Sequence, residues 1–267
     1  MKLKVLLCAA ALTILGCKKD KSPEPVTSID YANETLDVTT STYPESITKV
    51  FDAHGGIDAW NQFGTLSFMM KRPNGSEVTT TDLKSRNELI DTPTYTMGAE
   101  GNTIWVNEKN NIPYKGGARF YKGLFMYFYA MPFIVGDDGI IYEDVEPLVF
   151  EGKSYPGILI SYEAGVGASP DDQYIIYYDE TTGQMQWLGY TVTFGTNEKS
   201  TNFRFIRYND WQEVSGLKLP KHIDWYNYED GQLTEKRNTV EFFDVKLLKD
   251  RPDPKLFEVR EGAKLIE

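Results

Sequence analysis

The stretch Phe120–Val135, FYKGLFMYFYAMPFIV, constrains this chain more than any other. Only Lys122 and Gly123 within it are not apolar, aromatic or proline. Phe120, Leu124, Tyr127 and Met131 recur at the spacing of one helix face, and Phe125, Phe128 and Tyr129 cover the opposite side. A helix apolar all round is enclosed either by protein or by lipid. From Phe120 to Met131 it spans about 18 Å at ~1.5 Å per residue, against ~30 Å for a bilayer core. The spacing therefore predicts one helix over residues 119–131, buried inside the rest of the chain. Pro132 and Asp137-Asp138-Gly139 end it.

What surrounds that stretch alternates with period two. Leu66, Phe68 and Met70 alternate ahead of a turn at Pro73-Asn74-Gly75, and Val78–Ile90 reads as one long, twisted or bulged run. Two more runs flank Glu100-Gly101-Asn102. After the apolar stretch come Ile140–Phe150, Gly157–Tyr162 and Tyr174–Tyr178. Then Leu188, Tyr190, Val192 and Phe194 alternate with Trp187, Gly189, Thr191 and Thr193. Phe203–Tyr208 is expected to turn near Asn209-Asp210, Leu219–Tyr228 turns at Glu229-Asp230-Gly231, and Leu233–Leu247 returns. This predicts nine to eleven long strands in an antiparallel meander with two or three helices, in one domain over 43–267. Aromatics make up 13% of the chain, in keeping with a β-rich fold. The fold class is mainly β (α+β): a single curved antiparallel sheet, an open or half barrel, wrapped around one or two apolar helices. A sheet of this kind has an apolar concave face, and a fully apolar helix inserted mid-meander covers it.

The N-terminus predicts a destination. Met1–Cys17, MKLKVLLCAAALTILGC, has Lys2 and Lys4 followed by an eleven-residue apolar run, Val5–Leu15, which is secretory in length and short for a membrane span. Ile14-Leu15-Gly16-Cys17 resembles the bacterial lipobox, whose cysteine is acylated on sulfur before cleavage. Residues 1–16 are thus a signal peptide and Cys17 the lipidated residue, with Cys8 preceded by the wrong residue. Both cysteines lie here, so the remainder offers no disulfide, thiol nucleophile or thiolate metal site. Lys18–Thr42 is polar and aperiodic, a tether of about 25–30 Å r.m.s.. The net charge of −11 repels phosphate backbones, so no nucleic acid is expected as a partner. Thr42 and Glu45 have capping-box spacing around Pro44, opening a helix whose buried face is Ile47, Val50 and Phe51, with Gly55-Gly56 as its end. A short helical turn over Ile57–Phe63 packs Trp60.

Several of these motifs together resemble a known group. The lipobox, Ala53-His54-Gly55-Gly56 with Trp60, Met131-Pro132-Phe133 before Asp137-Asp138-Gly139, the run Asp172–Trp187 and Gly216–Ile223 resemble an uncharacterised family of Bacteroidetes outer-membrane lipoproteins. The Gly-x-x-Leu-Pro-x-x-Ile pattern of Gly216–Ile223 is similar, more distantly, to Lol-type lipoprotein carriers and receptors. Those are unclosed β-barrels around helices, with an apolar cavity that holds acyl chains. The resemblance implies a half-barrel and a lipid or other apolar ligand.

No residue set announces catalysis. His54-Gly55-Gly56 lacks the Gly-x-Ser-x-Gly partner of an esterase and reads as a helix end, where the dipole favours His and the left-handed cap favours Gly. His222 and Asp224 share a strand face and have base-and-orienter spacing, with an exposed pair as the plainer reading. Asp137-Asp138 and Asp171-Asp172 sit beside Gly or Pro as turn residues, with no calcium-loop spacing. Two histidines exclude a three-histidine zinc site. No metal or cofactor is expected.

The aromatic stretch supplies the ligand-cavity candidates: Phe120, Tyr121, Leu124, Phe125, Phe128, Tyr129 and Met131. Met69, Met70, Met97, Met126 and Met131 are adaptable fillers around them, and Tyr121, Tyr127 and Tyr129 bring hydroxyls that need partners. The expectation is a non-enzymatic envelope lipoprotein that holds a lipid or apolar molecule. It would be anchored in the outer membrane, on the periplasmic face. An envelope hydrolase using carboxylates or His222, and a structural or partner-docking lipoprotein, are the alternatives.

Overall fold

The computed structural model describes residues 43–162, 171–195 and 199–266. The leader, Cys17, Thr42 and the tether lie outside them. The described chain opens with helices α1 (Glu45–Ala53) and α2 (Ile57–Trp60). Five strands follow: β1 (Thr65–Arg72), β2 (Gly75–Asp82), β3 (Glu88–Asp91), β4 (Tyr95–Glu100) and β5 (Thr103–Glu108). The apolar stretch forms α3 (Ala118–Tyr121), α4 (Leu124–Tyr129) and a 3-10 turn (Phe133–Gly136). The second meander is β6 (Ile140–Phe150), β7 (Lys153–Tyr162), β8 (Tyr174–Tyr178), β9 (Met185–Tyr190), β10 (Arg204–Val214), β11 (Leu217–Glu229) and β12 (Gln232–Leu248). A 3-10 turn (Pro254–Leu256) leads to β13 (Lys264–Ile266).

All thirteen strands make one open antiparallel sheet in the order β13-β5-β4-β3-β2-β1-β12-β11-β10-β9-β8-β7-β6. It is two meanders joined where β1 pairs with β12, for example Leu66 with Leu247. The link from β5 to β6 must therefore travel from one side of the sheet to its far edge. That link is the apolar stretch, which is why it lies across the inner face. Tyr129 packs on Phe68 of β1 and Phe242 of β12, at 4.8 and 4.4 Å between rings. Phe128 packs on Tyr190 of β9 and Trp225 of β11. The Tyr208 hydroxyl of β10 donates to the Phe128 carbonyl at 2.8 Å. Strands β1, β12, β11, β10 and β9 thus all reach one short helix, and the half-barrel with its helical plug is the observed architecture.

The outer face is covered as well. On the β6–β11 side Tyr155, Tyr177, Trp187 and Phe205 form a separate aromatic cluster. On the β3–β5 side Trp105 is fully buried, lies across Gly98 and donates from Nε1 to the Phe257 carbonyl at 2.8 Å. A Cβ on Gly98 would meet the indole at 2.2 Å, so only glycine fits there.

Several boundaries differ from the sequence reading. There are thirteen strands and four α-helices among the described residues. Val78–Ile90 is two strands, because Arg86 takes φ = 60° in a turn whose N–H groups are collected by Asp82. Asn209-Asp210 is no turn: β10 continues through it as a bulge, and the turn comes at Ser215-Gly216. Helix α1 begins after Pro44 with no side-chain cap.

The His54 segment and the Gly216 segment meet. His54 caps α1 at 0% exposure, and its Nε2 accepts the Met185 N–H at 3.0 Å. Its carbonyl accepts the Lys218 N–H at 2.9 Å. A Cβ on Gly55 would strike the Gly216 carbonyl at 2.7 Å. Burial lowers the imidazole pKa to about 4. A neutral ring gains nothing from the helix dipole, so its role is to satisfy strand-end amides, not to complement a charge as the helix-end reading supposed.

Candidate functional site

The predicted single helix over 119–131 is broken. Lys122 leaves the helical region, and Gly123 takes φ = 76°, which glycine adopts without the strain a side chain brings. A continuous buried helix would carry the Lys122 ammonium into the core, a cost of several kcal/mol without a partner. The break lets Lys122 reach the Gly101 carbonyl at 3.3 Å instead. The Gly123 N–H, freed by the break, donates to Glu88 Oε2 at 2.7 Å. Glu88 is buried beneath it, and burial pushes its carboxyl up to about 7.

The stretch meets two environments. Met126, Tyr129, Ala130, Met131, Phe133, Ile134 and Val135 are 0–2% exposed. Phe133 stacks on Trp60 at 5.1 Å with the rings 7° apart. On the other side of the break Phe120 is 40% exposed. Here a cleft of about 360 Å³ opens beside the helices. That is near the low end of small-molecule sites, roughly 300–1,000 Å³. Its apolar wall is Phe120, Leu124, Phe128, Ile134 and Phe194, with Phe120 and Phe194 edge-to-face at 5.6 Å at the surface.

Of the seven candidates, Phe120, Leu124 and Phe128 line this cleft. Tyr121 turns the other way. Its hydroxyl donates to Glu77 and accepts from Arg72 at 2.7 Å, at the edge of a second cavity of about 420 Å³ that shares Phe120. Phe125 lies under the Arg72 guanidinium at 4.3 Å. Tyr129 and Met131 are solid core. None of the five methionines lines the cleft: Met70, Met97, Met126 and Met131 are fully packed, which corrects their reading as cavity fillers. The apolar stretch therefore supplies cleft wall on both sides of its break, Phe120 before it and Leu124 and Phe128 after it, and core plug through Tyr129 and Met131.

The polar groups of the cleft come from elsewhere. Tyr162 of β7 and Tyr174 of β8 meet edge-to-face at 6.3 Å, and Asp172 lies beside them. Asp172 Oδ1 accepts both the backbone N–H and the hydroxyl of Thr193, at 2.7 and 2.8 Å. Burial raises the pKa of Tyr127, Tyr162 and Tyr174, so all three are protonated donors at neutral pH. Asp137 is held by Arg86 through both oxygens at 2.7 Å. Sequence reading missed Tyr162, Tyr174 and Phe194, which carry only strand periodicity, and gave Asp172 and Asp137 a turn role. What gathers them is strand register.

The histidine pair sits away from the cleft. His222 lies between Asp210, 3.3 Å from Nδ1, and Asp224, 3.6 Å from Nε2. Asp224 is 3% exposed rather than solvent-facing, and the Thr239 hydroxyl donates to it. Among the described residues no cluster of three or more metal-ligating side chains occurs, and no helix is long and apolar enough to cross a membrane.

Two solved structures are similar to part of the chain. A LolA superfamily protein from Nitrosomonas europaea has a TM-score of 0.43 at 10% identity, covering 76% of this chain and 96% of that one. A DUF1329 family protein from Desulfovibrio piger has the same score and identity, covering 76% and 94%. Scores this low leave the site to be read from its own residues. No curated protein matches the chain. Residues 95–241, from β4 through most of β12, match the family described as "Family of unknown function (DUF6503)". That segment contains the whole apolar stretch and every wall of the cleft, and the chain belongs to the DUF6503 family.

Proposed function

We propose that this protein binds or carries a small apolar molecule, or one apolar chain of a lipid, without catalysing a reaction on it. The observation that carries this is the 360 Å³ cleft with its five apolar walls beside the helix break. Its size suits one ligand of modest length rather than a bundle of acyl chains. Of the groups in the hydrolase alternative, His222 and its Asp224 partner lie elsewhere on the sheet, while Asp137, Asp138 and Asp172 line the cleft. We further propose that the domain is exported by the residue 1–16 leader and held at the outer membrane, on the periplasmic face, through acylated Cys17. The polar, aperiodic sequence of residues 18–42 supports a domain that stands off the surface.

Two measurements test this. The full chain is titrated with the fluorescent probe N-phenyl-1-naphthylamine; saturable, one-to-one enhancement is expected. Leu124→Trp, which fills the cleft, should abolish it while leaving the folding transition in place. Binding that does not saturate, or that survives Leu124→Trp, overturns the cleft as the site. In cells, Cys17→Ser should move the chain from the membrane to the soluble fraction; a variant that stays membrane-bound removes the anchor.

A further inference from the structure

The second cavity has only Phe120 in common with the cleft, and its lining mixes aromatic rings with a charged pair. We infer that it is a separate binding site for an uncharged sugar, a pyranose that sets its C–H bonds against the aromatic walls and its hydroxyls on Arg72 and the tyrosines.

The charged pair is already complete. Glu77 is buried, and its carboxylate accepts Nε and Nη2 of Arg72 at 3.3 Å and the Tyr121 hydroxyl at 2.8 Å. It is the one acid of the lining, so an ammonium ligand finds no free counter-charge. Lys115, the base outside the pair, is exposed, and solvent screens it. A wholly apolar ligand strips water from the pair and returns no hydrogen bond. A neutral ligand rich in hydroxyls avoids both costs. Arg72 commits Nε and Nη2 to Glu77 and Tyr121, which leaves Nη1 as a donor.

The walls suit the same ligand. Tyr95 and Tyr114, edge-to-face at 4.8 Å, and Phe120 give the cavity aromatic surface. The negative face of such rings attracts the polarised C–H bonds of a pyranose. The Tyr95 and Tyr114 hydroxyls make no hydrogen bond among the described residues and are not shut off from solvent. Burial, then Glu77, raises the pKa of Tyr114 and pushes that of Tyr95 up to about 12, so both hydroxyls can donate and accept at neutral pH. The Tyr114 N–H donates to Glu108 Oε1 at 3.0 Å, which ties this wall to β5. Gly116 leaves it room: a Cβ there would meet the Tyr114 hydroxyl at 2.5 Å.

The test is saturation-transfer NMR on the full chain with the methyl pyranosides of glucose, galactose, mannose and N-acetylglucosamine. At least one should bind saturably in the millimolar range, with transfer to its ring C–H protons. Tyr114→Ala removes a wall and should weaken that glycoside about tenfold. Gly116→Ala, a smaller change, should weaken it several-fold by displacing the Tyr114 ring. Leu124→Trp, which fills the cleft, should leave it within about twofold. Methyl glucosaminide at pH 6, the glucoside with one ammonium, should bind no better than methyl glucoside. Binding by none of the four, binding that survives both Tyr114→Ala and Gly116→Ala, binding lost in Leu124→Trp, or tighter binding of the ammonium form overturns the inference. Naphthylamine enhancement, expected unchanged in Tyr114→Ala, reads the apolar cleft separately.

Discussion

The apolar stretch has two sides, one packed into the core and one bordering the cleft. Met126, Tyr129, Ala130, Met131, Phe133 and Val135 are closed over in the core. Phe120 before the break, and Leu124, Tyr127, Phe128 and Ile134 after it, border space that the sheet does not fill. The difference is one of position against the sheet and not of hydrophobicity, since Phe128 and Phe133 are the same residue type with different neighbours.

Substitutions on the two sides should therefore separate. Phe133→Ala, at 0% exposure and stacked on Trp60, should lose about 3–5 kcal/mol of stability, read from the denaturant midpoint. A loss below about 1 kcal/mol would mean that the plug is loose and the contrast is wrong.

Titration sharpens the break itself. Glu88 has a folded pKa raised from 4.5 to about 7, so the folded state binds its proton more tightly. Its contribution favours folding below about pH 4.5 and is lost as pH rises towards 7, by about 3 kcal/mol. His54 runs the other way. Its folded pKa is lowered from 6.5 to about 4, so stability is lost as pH falls from 6.5 to 4. Between about pH 4.5 and 6.5 the two slopes oppose each other. Glu88→Gln keeps an acceptor for the Gly123 N–H and removes one slope, so its melting temperature should rise with pH across that window more steeply than that of the native chain. Parallel curves would show that Glu88 is not buried as described.

Smaller effects belong to the open side. Tyr121→Phe removes a hydroxyl shared by Glu77 and Arg72, which remain paired, and should cost about 1–2 kcal/mol by chemical denaturation. An unchanged midpoint would show that the hydroxyl is paid for by water. Phe120→Ala, at 40% exposure, should cost under about 1 kcal/mol yet weaken naphthylamine binding several-fold. A large stability loss with unchanged binding would reverse the assignment of wall and plug.

Much of the fold was legible because it depends on local chemistry. The length and apolarity of Phe120–Val135 excluded a membrane span, alternation in Leu66–Met70 and Leu188–Tyr190 specified strands, and Glu229-Asp230-Gly231 is the turn it reads as. His54 was legible as a helix end, though not the strand-end amide it satisfies 131 residues away. Of the cleft's walls, Phe120 and Leu124 share one predicted helix face and Phe128 lies on the opposite one, while Lys122-Gly123, which that helix was expected to run through, is where the chain breaks beside the cleft.

By itself, then, the sequence determined that this chain is one antiparallel sheet folded around an apolar segment, because periodicity and turn chemistry act over a few residues. Only the tertiary structure decided where that segment is sealed and where it is open. Tyr162, Asp172, Tyr174 and Phe194 reach the cleft through the pairing of β7 with β8 and β8 with β9 and the loop beyond β9. Register is a property of pairs of strands, and no single stretch of sequence carries it.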